Sequence, residues 1–407
     1  MPEAFDPIVL DEARYQRFSD SNTAFNVVPR RYAKPAGRRD EAALAHLAEG
    51  RVAIKCPVSG PEEALFCSAW RAGTNAVREL TDHCFVRNHP GSTFWNRPHR
   101  PAPEVLRSRC QAPARLTREV RRLAKRCGAA LVGATTLDPR WVYADLQRTD
   151  PDSGERYRIP VHIREAEYPI ETREELVIPS GMSNALVVAV RMDREMILSS
   201  PSFLSDAATN EGYSAAARCA LSVARYIQAL GYRAIPALND LVLTIPMAIQ
   251  AGLGEQGRNG LLITPEYGAC VRLAKVITDM PLEHDAPRDA GIGAYCETCE
   301  LCVSTCHAGA IPSGPRTDVG HNECNNDGAR KWYVDTIRCL RYWNVLGTGC
   351  SVCIAACPFT LGGRWGLGVP RWVIQRTPRF NEAIAWLDRA AAPHRRRDPA
   401  VLLERLP

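Results

Sequence analysis

The sequence predicts an α/β fold of the α+β kind, with a smaller cysteine-rich unit following a larger core. Three observations predict it. Apolar, β-branched runs such as ALVVAVRM (185–192) read as buried strands. Helical stretches such as EGYSAAARCALSVARYIQALGY (211–232) alternate with them, as helices layered on a sheet do. Cysteines then crowd into residues 291–361, where the composition changes abruptly.

Taken in order, residues 1–115 form an N-terminal unit rich in Pro, Arg and short apolar runs. They predict irregular structure with short helices, the best being PEEALFCSAWRAGTNAVREL (61–80). Residues 116–290 form the core. Within them, TREVRRLAKRCGAALVGATTL (117–137) predicts a helix ended by Gly128 and then a short strand. Residues 140–180 are polar and turn-rich, an insertion that leaves the main sheet. On the helix 211–232, Ala217, Leu221, Ala224 and Ile227 or Leu230 recur on one face, and Gly231 suits the C-terminal cap. AIPALND (234–240) predicts a strand and its turn. Residues 291–361 form the cysteine unit, and 362–407 a tail that wraps or caps it.

Hydrophobic content of 45% and charged content of 24% are ordinary for a soluble globular protein. The net charge of +6 reflects 51 basic against 45 acidic side chains, a mild excess concentrated in arginines near the two ends. Nucleic-acid binding needs a denser basic face with interleaved aromatics, so none is expected. An anionic partner such as an acidic electron carrier suits the charge. No run of eighteen apolar residues predicts a membrane span. MPEAFDPIVLDEARYQRF lacks the basic and apolar regions of a secretory signal, and the Arg30–Arg31 pair is followed by polar sequence. A cytoplasmic location follows as the expectation, and there sixteen cysteines favour metal binding over disulfides.

The cysteines have a pattern. Cys296-x2-Cys299-x2-Cys302-x3-Cys306 is followed by Cys339 and then Cys350-x2-Cys353-x3-Cys357-Pro358. In bacterial ferredoxins, three closely spaced thiolates hold one cubane and a fourth reaches the other cluster. A short loop can wrap three corners of a cube, so the last thiol must come from elsewhere. On that pattern Cys296, Cys299, Cys302 and Cys357 hold one [4Fe–4S] cluster. Cys306, Cys350 and Cys353 hold the second, with Cys339 as its fourth ligand and Cys324 as a competitor for that place. Structural zinc is the plainer alternative, since CxxC pairs also build tetrahedral sites. Eight thiols with a closing Cys-Pro favour two clusters. The remaining seven cysteines (56, 67, 84, 110, 127, 219 and 270) are scattered, as small buried hydrophobes are.

GLGEQG (252–257) satisfies the G-x-G-x-x-G pattern of dinucleotide sites. Such a site needs a strand before it and a helix after it, whereas TIPMAIQA reads as a helix and RNGLLIT as a strand. A Rossmann site is therefore not expected. Gly252, Gly254 and Gly257 still mark backbone that turns tightly or lets a large cofactor approach closely.

Read as a whole, GLGEQGRNGLLITPEYGACVRLAKVITDMPLEHDAP (252–287), followed by the cysteine motifs, resembles the corrinoid-dependent reductive dehalogenases. KWYVDTIRCLRYWN (331–344) and YQRFSDSNTAFNVV (15–28) resemble them too. The resemblance implies a nitroreductase-like core binding a base-off cobamide, with two [4Fe–4S] clusters alongside. No Asp-x-His-x-x-Gly motif is present, so no histidine is expected as the lower cobalt ligand. By the same resemblance Tyr213 is the proton donor, Asn239 and Arg272 are its polar partners, and Trp343 lines the cofactor pocket. Outside that resemblance, Tyr213 would read as a packing residue, Asn239-Asp240 as a turn pair and Arg272 as a salt-bridge anchor.

The implied chemistry suits these residue types. Reducing a carbon–halogen bond takes two electrons and a proton. Clusters deliver electrons singly, at potentials set by charge, hydrogen bonds and burial. A free tyrosine is a weak acid, with a pKa near ~10, and a guanidinium that stabilises the phenolate makes it a better donor. The implied substrate is a small organohalide. With neither leader nor fused reductase evident, electrons are expected from a separate ferredoxin, flavodoxin or reductase. Two rivals stand beside this reading. Epoxyqueuosine reductase pairs the same cofactors for a tRNA reaction, with an acidic proton donor. A non-catalytic electron-transfer subunit would use the clusters alone, yet some 290 residues precede the first motif.

Overall fold

A computed structural model of the chain describes residues 8–32, 112–149, 153–361, 373–374, 377–391 and 397–403. The helix expected at 61–80 lies outside the described residues. Along the described chain the helices are α1 (Ala24–Tyr32), α2 (Pro113–Arg126), α3 (Arg194–Leu198), α4 (Phe203–Ala229) and α5 (Thr244–Gln250). Then come α6 (Ile292–Cys299), α7 (Leu301–Ser304), α8 (Thr336–Leu346), α9 (Val352–Ala355), α10 (Asn381–Ala391) and α11 (Pro399–Leu403).

The central sheet orders β1 (Leu131–Thr136), β6 (Asn184–Arg191), β10 (Val271–Thr278) and β7 (Ala234–Ala237), with every pair antiparallel. Antiparallel pairing makes this an α+β core rather than a doubly wound one, and the short strands β8 (Glu255–Gln256) and β9 (Leu262–Ile263) pair outside this sheet. Strand β6 is buried on both faces, which is why ALVVAVRM shows no alternation. Leu186, Val188 and Val190 face the helices α2 and α4, among Leu116, Val120, Ala217, Ala220 and Val223. Ala185, Val187 and Ala189 face the other way, toward Met247 and Ala248 of α5.

That second face also receives the insertion. Strands β2 (Asp145–Thr149), β3 (Arg156–Arg164), β5 (Leu176–Pro179) and β4 (Ile170–Glu171) form a separate sheet. Its Leu146, Ile159, Val161, Leu176 and Ile178 bury against the main sheet, so the polar segment hides one apolar face. Within it, Arg148 and Glu171 form an ion pair at 3.7 Å, with side chains only 6% and 4% exposed. Burial outweighs the arginine and, with help from the Asp240 charge, pushes the Glu171 carboxyl up to about 7. Its proton is held in the folded state where the unfolded chain has lost it. Stability should therefore fall as pH rises from about 4.5 to about 7, by on the order of 1–3 kcal/mol. Chemical unfolding across that range should show this slope, and Glu171→Gln should flatten it.

Helix α4 begins eight residues before the expected 211, at Phe203, where Ser202 and Ser205 form a reciprocal capping box. Its buried face carries Ala216, Ala217, Ala220, Val223, Ala224 and Ile227, while Leu221 is half-buried. Gly231 follows the Leu230 cap at φ +91°, the left-handed turn a glycine permits. Helix α2 ends as expected, with Gly128 at φ +102°. The early turns of α4 extend under the cysteine unit: Leu204, Ala207 and Ala208 share one buried cluster with Cys296, Cys299, Cys357 and Ile384 of α10.

The N-terminal strap 8–32 ties these parts together. Arg17 donates to the carbonyls of Val142 and Val161 at 3.0 and 2.8 Å. The Asp11 amide donates to the Gly328 carbonyl at 2.7 Å, and α1 then packs on α8, with Phe25 against Trp343.

Candidate active site and cluster unit

Both cysteine motifs are folded alike. Helix α6 stops after Cys299, Glu300 takes a left-handed φ of +49°, and α7 restarts to present Cys302. In the second motif Ser351, directly after Cys350, has φ +52°, and α9 presents Cys353. A non-glycine residue in this conformation costs on the order of 1–3 kcal/mol, and here the kink turns successive thiols toward one centre. The eight thiols lie close enough to feel one another's charge, and Cys353 feels thiols of both expected sets. Cys302 feels Cys296, Cys357, Cys353 and Cys299, while Cys339 feels Cys350 and Cys306. Cys324 lies instead in an apolar cluster with Ala24, Val27, Val28, Ile337 and Leu340.

The donor set fits iron–sulfur cubanes. Cys296, Cys299, Cys302 and Cys357 line an empty space of about 330 Å³, part of it open to solvent. Among the described residues no three His, Cys, Asp or Glu side chains close on a point that would hold one ion. Burial first, then neighbouring thiols, push Cys339 up to about 12, and burial drives Cys357 to about 12. Iron loading must displace those protons, so cluster binding and folding are coupled.

The three residues expected to act on substrate come together from separate elements. Tyr213 sits on α4, Asn239 in the turn after β7, and Arg272 on β10. The Asn239 amide Nδ2 donates to the Tyr213 hydroxyl at 3.0 Å. The Arg272 guanidinium lies 4.7 Å from the Tyr213 ring centre, and its Nη2 donates to Thr209 Oγ1 at 3.3 Å. Its buried Nε has no acceptor among the described residues. Strand parity explains the meeting, because Arg272 shares with Ala274 and Val276 the sheet face that α4 covers. Gly212 keeps the contact close: a Cβ there would come within 2.9 Å of Arg272 Cγ. One turn away, Thr209 Oγ1 lies 3.4 Å from Ser351 Oγ, which joins this site to the loop of the second cysteine motif. Trp343 is half-buried on α8, with its ring against Phe25.

Lys275, which sequence reasoning did not single out, holds the turn that presents Asn239. Its fully buried Nζ donates to the carbonyls of Leu238, Asp240 and Val242 at 2.6, 2.8 and 2.8 Å and reaches Thr244 Oγ1 at 2.9 Å. Burial pulls its pKa down to about 7, against the pull of Asp240. The visible signal is a second cation, three residues after Arg272, inside the apolar strand VRLAKVIT.

The glycine motif has an internal use. A Cβ on Gly252 would strike the Ala286 carbonyl, one on Gly254 the Ile263 carbonyl, and one on Gly257 the Ile263 side chain. The close approach at all three is to the chain's own atoms. The charged residues of the same segment were also missed. Glu255 accepts from the amides of Ala290, Ile292 and Gly293 at 2.7, 3.1 and 2.9 Å, and so holds the start of α6. Arg258 is buried beside Cys296.

An α+β core that carries paired four-thiol sites defines an iron–sulfur protein. Residues 295–360 match the 4Fe-4S double cluster binding domain, and residues 161–282 match the family described as reductive dehalogenase subunit. Over these segments the chain is similar to the reductive dehalogenases. It is 37% identical over 284 residues to a tetrachloroethene reductive dehalogenase of Sulfurospirillum multivorans, covering 68% of this chain and 57% of that one. Against a tetrachloroethene reductive dehalogenase of Dehalobacter restrictus it is 33% identical over 288 residues, 66% of this chain and 52% of the other. The chain thus spans about half the length of the curated relatives it matches. A solved reductive dehalogenase, described in terms of B12-dependent dehalogenation, aligns with a TM-score of 0.65. That alignment covers 95% of this chain and 48% of the other at 20% identity, a likeness of fold. Among the described residues no helix is long and apolar enough to cross a membrane.

Proposed function

We propose that this protein is a reductive dehalogenase, which replaces a carbon–halogen bond by carbon–hydrogen at the cost of two electrons and one proton, releasing halide. The observation that carries the reading is the Tyr213–Asn239–Arg272 constellation, joined through Thr209 and Ser351 to the second cysteine motif. A bound cobamide, as the B12-dependent relative suggests, supplies the reducing power of low-valent cobalt. Cys296, Cys299, Cys302 and Cys357 hold one [4Fe–4S] cluster, and Cys306, Cys339, Cys350 and Cys353 the other, so electrons arrive one at a time.

The chain's own groups manage the proton. The Tyr213 hydroxyl gives it to the carbon that loses halide. The phenolate left behind keeps the Asn239 N–H as donor and lies against the Arg272 cation, which cannot lose its charge. Both stabilising groups are fixed before the charge develops: Arg272 by Thr209, and Asn239 by the turn that Lys275 grips. None of the three is a carboxylate, which separates this site from one with an acidic proton donor.

Chlorinated ethenes are the first substrates to try, since tetrachloroethene dehalogenases are among the relatives. Protein reconstituted anaerobically with iron, sulfide and cobalamin should bind about eight irons and about one cobalt per chain, as two cubanes and one corrinoid require. Under a strong chemical reductant it should release halide from a haloethene and haloarene panel. Eight irons without cobalt or halide release would sink the proposal in favour of an electron-transfer subunit.

A further inference from the structure

The segment GLGEQGR ends in an arginine that the dehalogenation chemistry does not use. Arg258 is one of the largest fully buried side chains, 1% exposed. Its Nε donates to the Cys296 carbonyl at 2.9 Å, and its Nη2 to the Glu297 carbonyl at 3.2 Å. Its Nη1 donates to the carbonyls of Pro312 and Gly314 at 3.1 and 2.8 Å. One face of the guanidinium covers Trp332, with 4.6 Å to the ring centre, and Arg316 lies over the same ring at 4.6 Å. The arginine therefore laces the helix of Cys296 to the loop at 312–314. It also lines the empty space bounded by Cys296, Cys299, Cys302 and Cys357, and its main-chain N–H faces the Cys296 sulfur.

A structural anchor for carbonyls could be neutral, as an amide or an indole is. Burying a full charge for that purpose is costly unless the charge meets an opposite one. The carboxylate Arg258 reaches is that of Glu300, at 3.2 Å and 40% exposed, where water screens it. A cubane held by four thiolates is anionic, gains a further negative charge on reduction, and would sit in the low-dielectric space that Arg258 lines. Buried charge and hydrogen bonds to sulfur are the terms that set a cluster's potential.

We infer that Arg258 tunes the cluster of Cys296, Cys299, Cys302 and Cys357, raising its reduction potential above the value the four thiolates alone would set. The step it biases is the uptake of one electron by that cluster from an external reductant, with no proton or bond change. Only the ligand grouping enters, so the inference stands whichever substrate is reduced.

The test is a redox titration of the reconstituted full chain, followed by the electron paramagnetic resonance of the reduced clusters. Arg258→Gln, loaded with its full iron, should lower the midpoint of one cluster enough to change its reduced-to-oxidised ratio at fixed potential by about tenfold. That is about 59 mV for a one-electron couple. The other midpoint should move far less, and Arg258→Lys, which keeps the charge, should restore most of the shift. Unchanged midpoints, or equal shifts of both clusters, overturn the inference. Should the Gln variant lose iron, Glu300→Gln decides. Removing the anion that offsets Arg258 should raise the same single midpoint, and no movement overturns the inference.

Discussion

Tyr213→Phe is expected to cut halide release by about 10²- to 10⁴-fold, the usual worth of a positioned general acid. Phenylalanine keeps the ring that lies under the Arg272 guanidinium, so the packing of α4 against β10 survives. It removes the hydroxyl that accepts from Asn239 and leaves an exposed amide free to meet water, a stability loss of about 1 kcal/mol at most. Cobalt and iron content should match the parent. So should the rate at which reductant bleaches the clusters, because electron delivery does not pass through this proton. The loss should therefore appear in turnover and in the solvent deuterium isotope effect, with cofactor loading unmoved. Turnover that survives intact in a fully loaded variant would take the proton donor away from Tyr213.

How far these residues could be read beforehand differs by their separation along the chain. Three thiols of one expected set were legible because Cys296, Cys299 and Cys302 lie within seven positions, whereas a fourth ligand from a distant stretch has no such local signal. Strand β6 was legible because burial on both faces leaves an uninterrupted apolar run. The start of α4 was not, since Ser202, Ser205, Asp206 and Thr209 are poor helix formers by propensity. The capping box and their contacts with the second cysteine loop place them in the helix all the same. Tyr213, Asn239 and Arg272 carry no mutual pattern; family resemblance named them, and only the register of β10 under α4 shows why they meet. Lys275 and Arg258 escaped because their partners are main-chain carbonyls, which have no signature in side-chain identity. The glycines of 252–257 also make room for Ala286 and Ile263, contacts that their spacing in the sequence does not announce.

The second large effect concerns the eighth thiol. Cys339 and Cys324 both precede the second motif, and spacing alone allows either. Cys339 lies on α8, where its thiol feels Cys350 and Cys306, and Cys353 feels all three and Cys357 as well. Cys324 is 8% exposed among Ala24, Val27, Val28, Ile337 and Leu340, under the N-terminal strap. Replacing Cys339 by Ser should therefore strip one cluster: iron should fall toward about half, and turnover should collapse because single electrons lose one of their two stations. Cys324→Ser should keep about eight irons and near-parent turnover, losing no more than about 1–2 kcal/mol for a hydroxyl placed in an apolar pocket. Iron analysis alongside unfolding curves separates the two outcomes. If Cys324→Ser loses iron while Cys339→Ser retains it, the ligand passes to the strap side of α8. The N-terminal residues 24–28 would then wall a cluster instead of packing beside one.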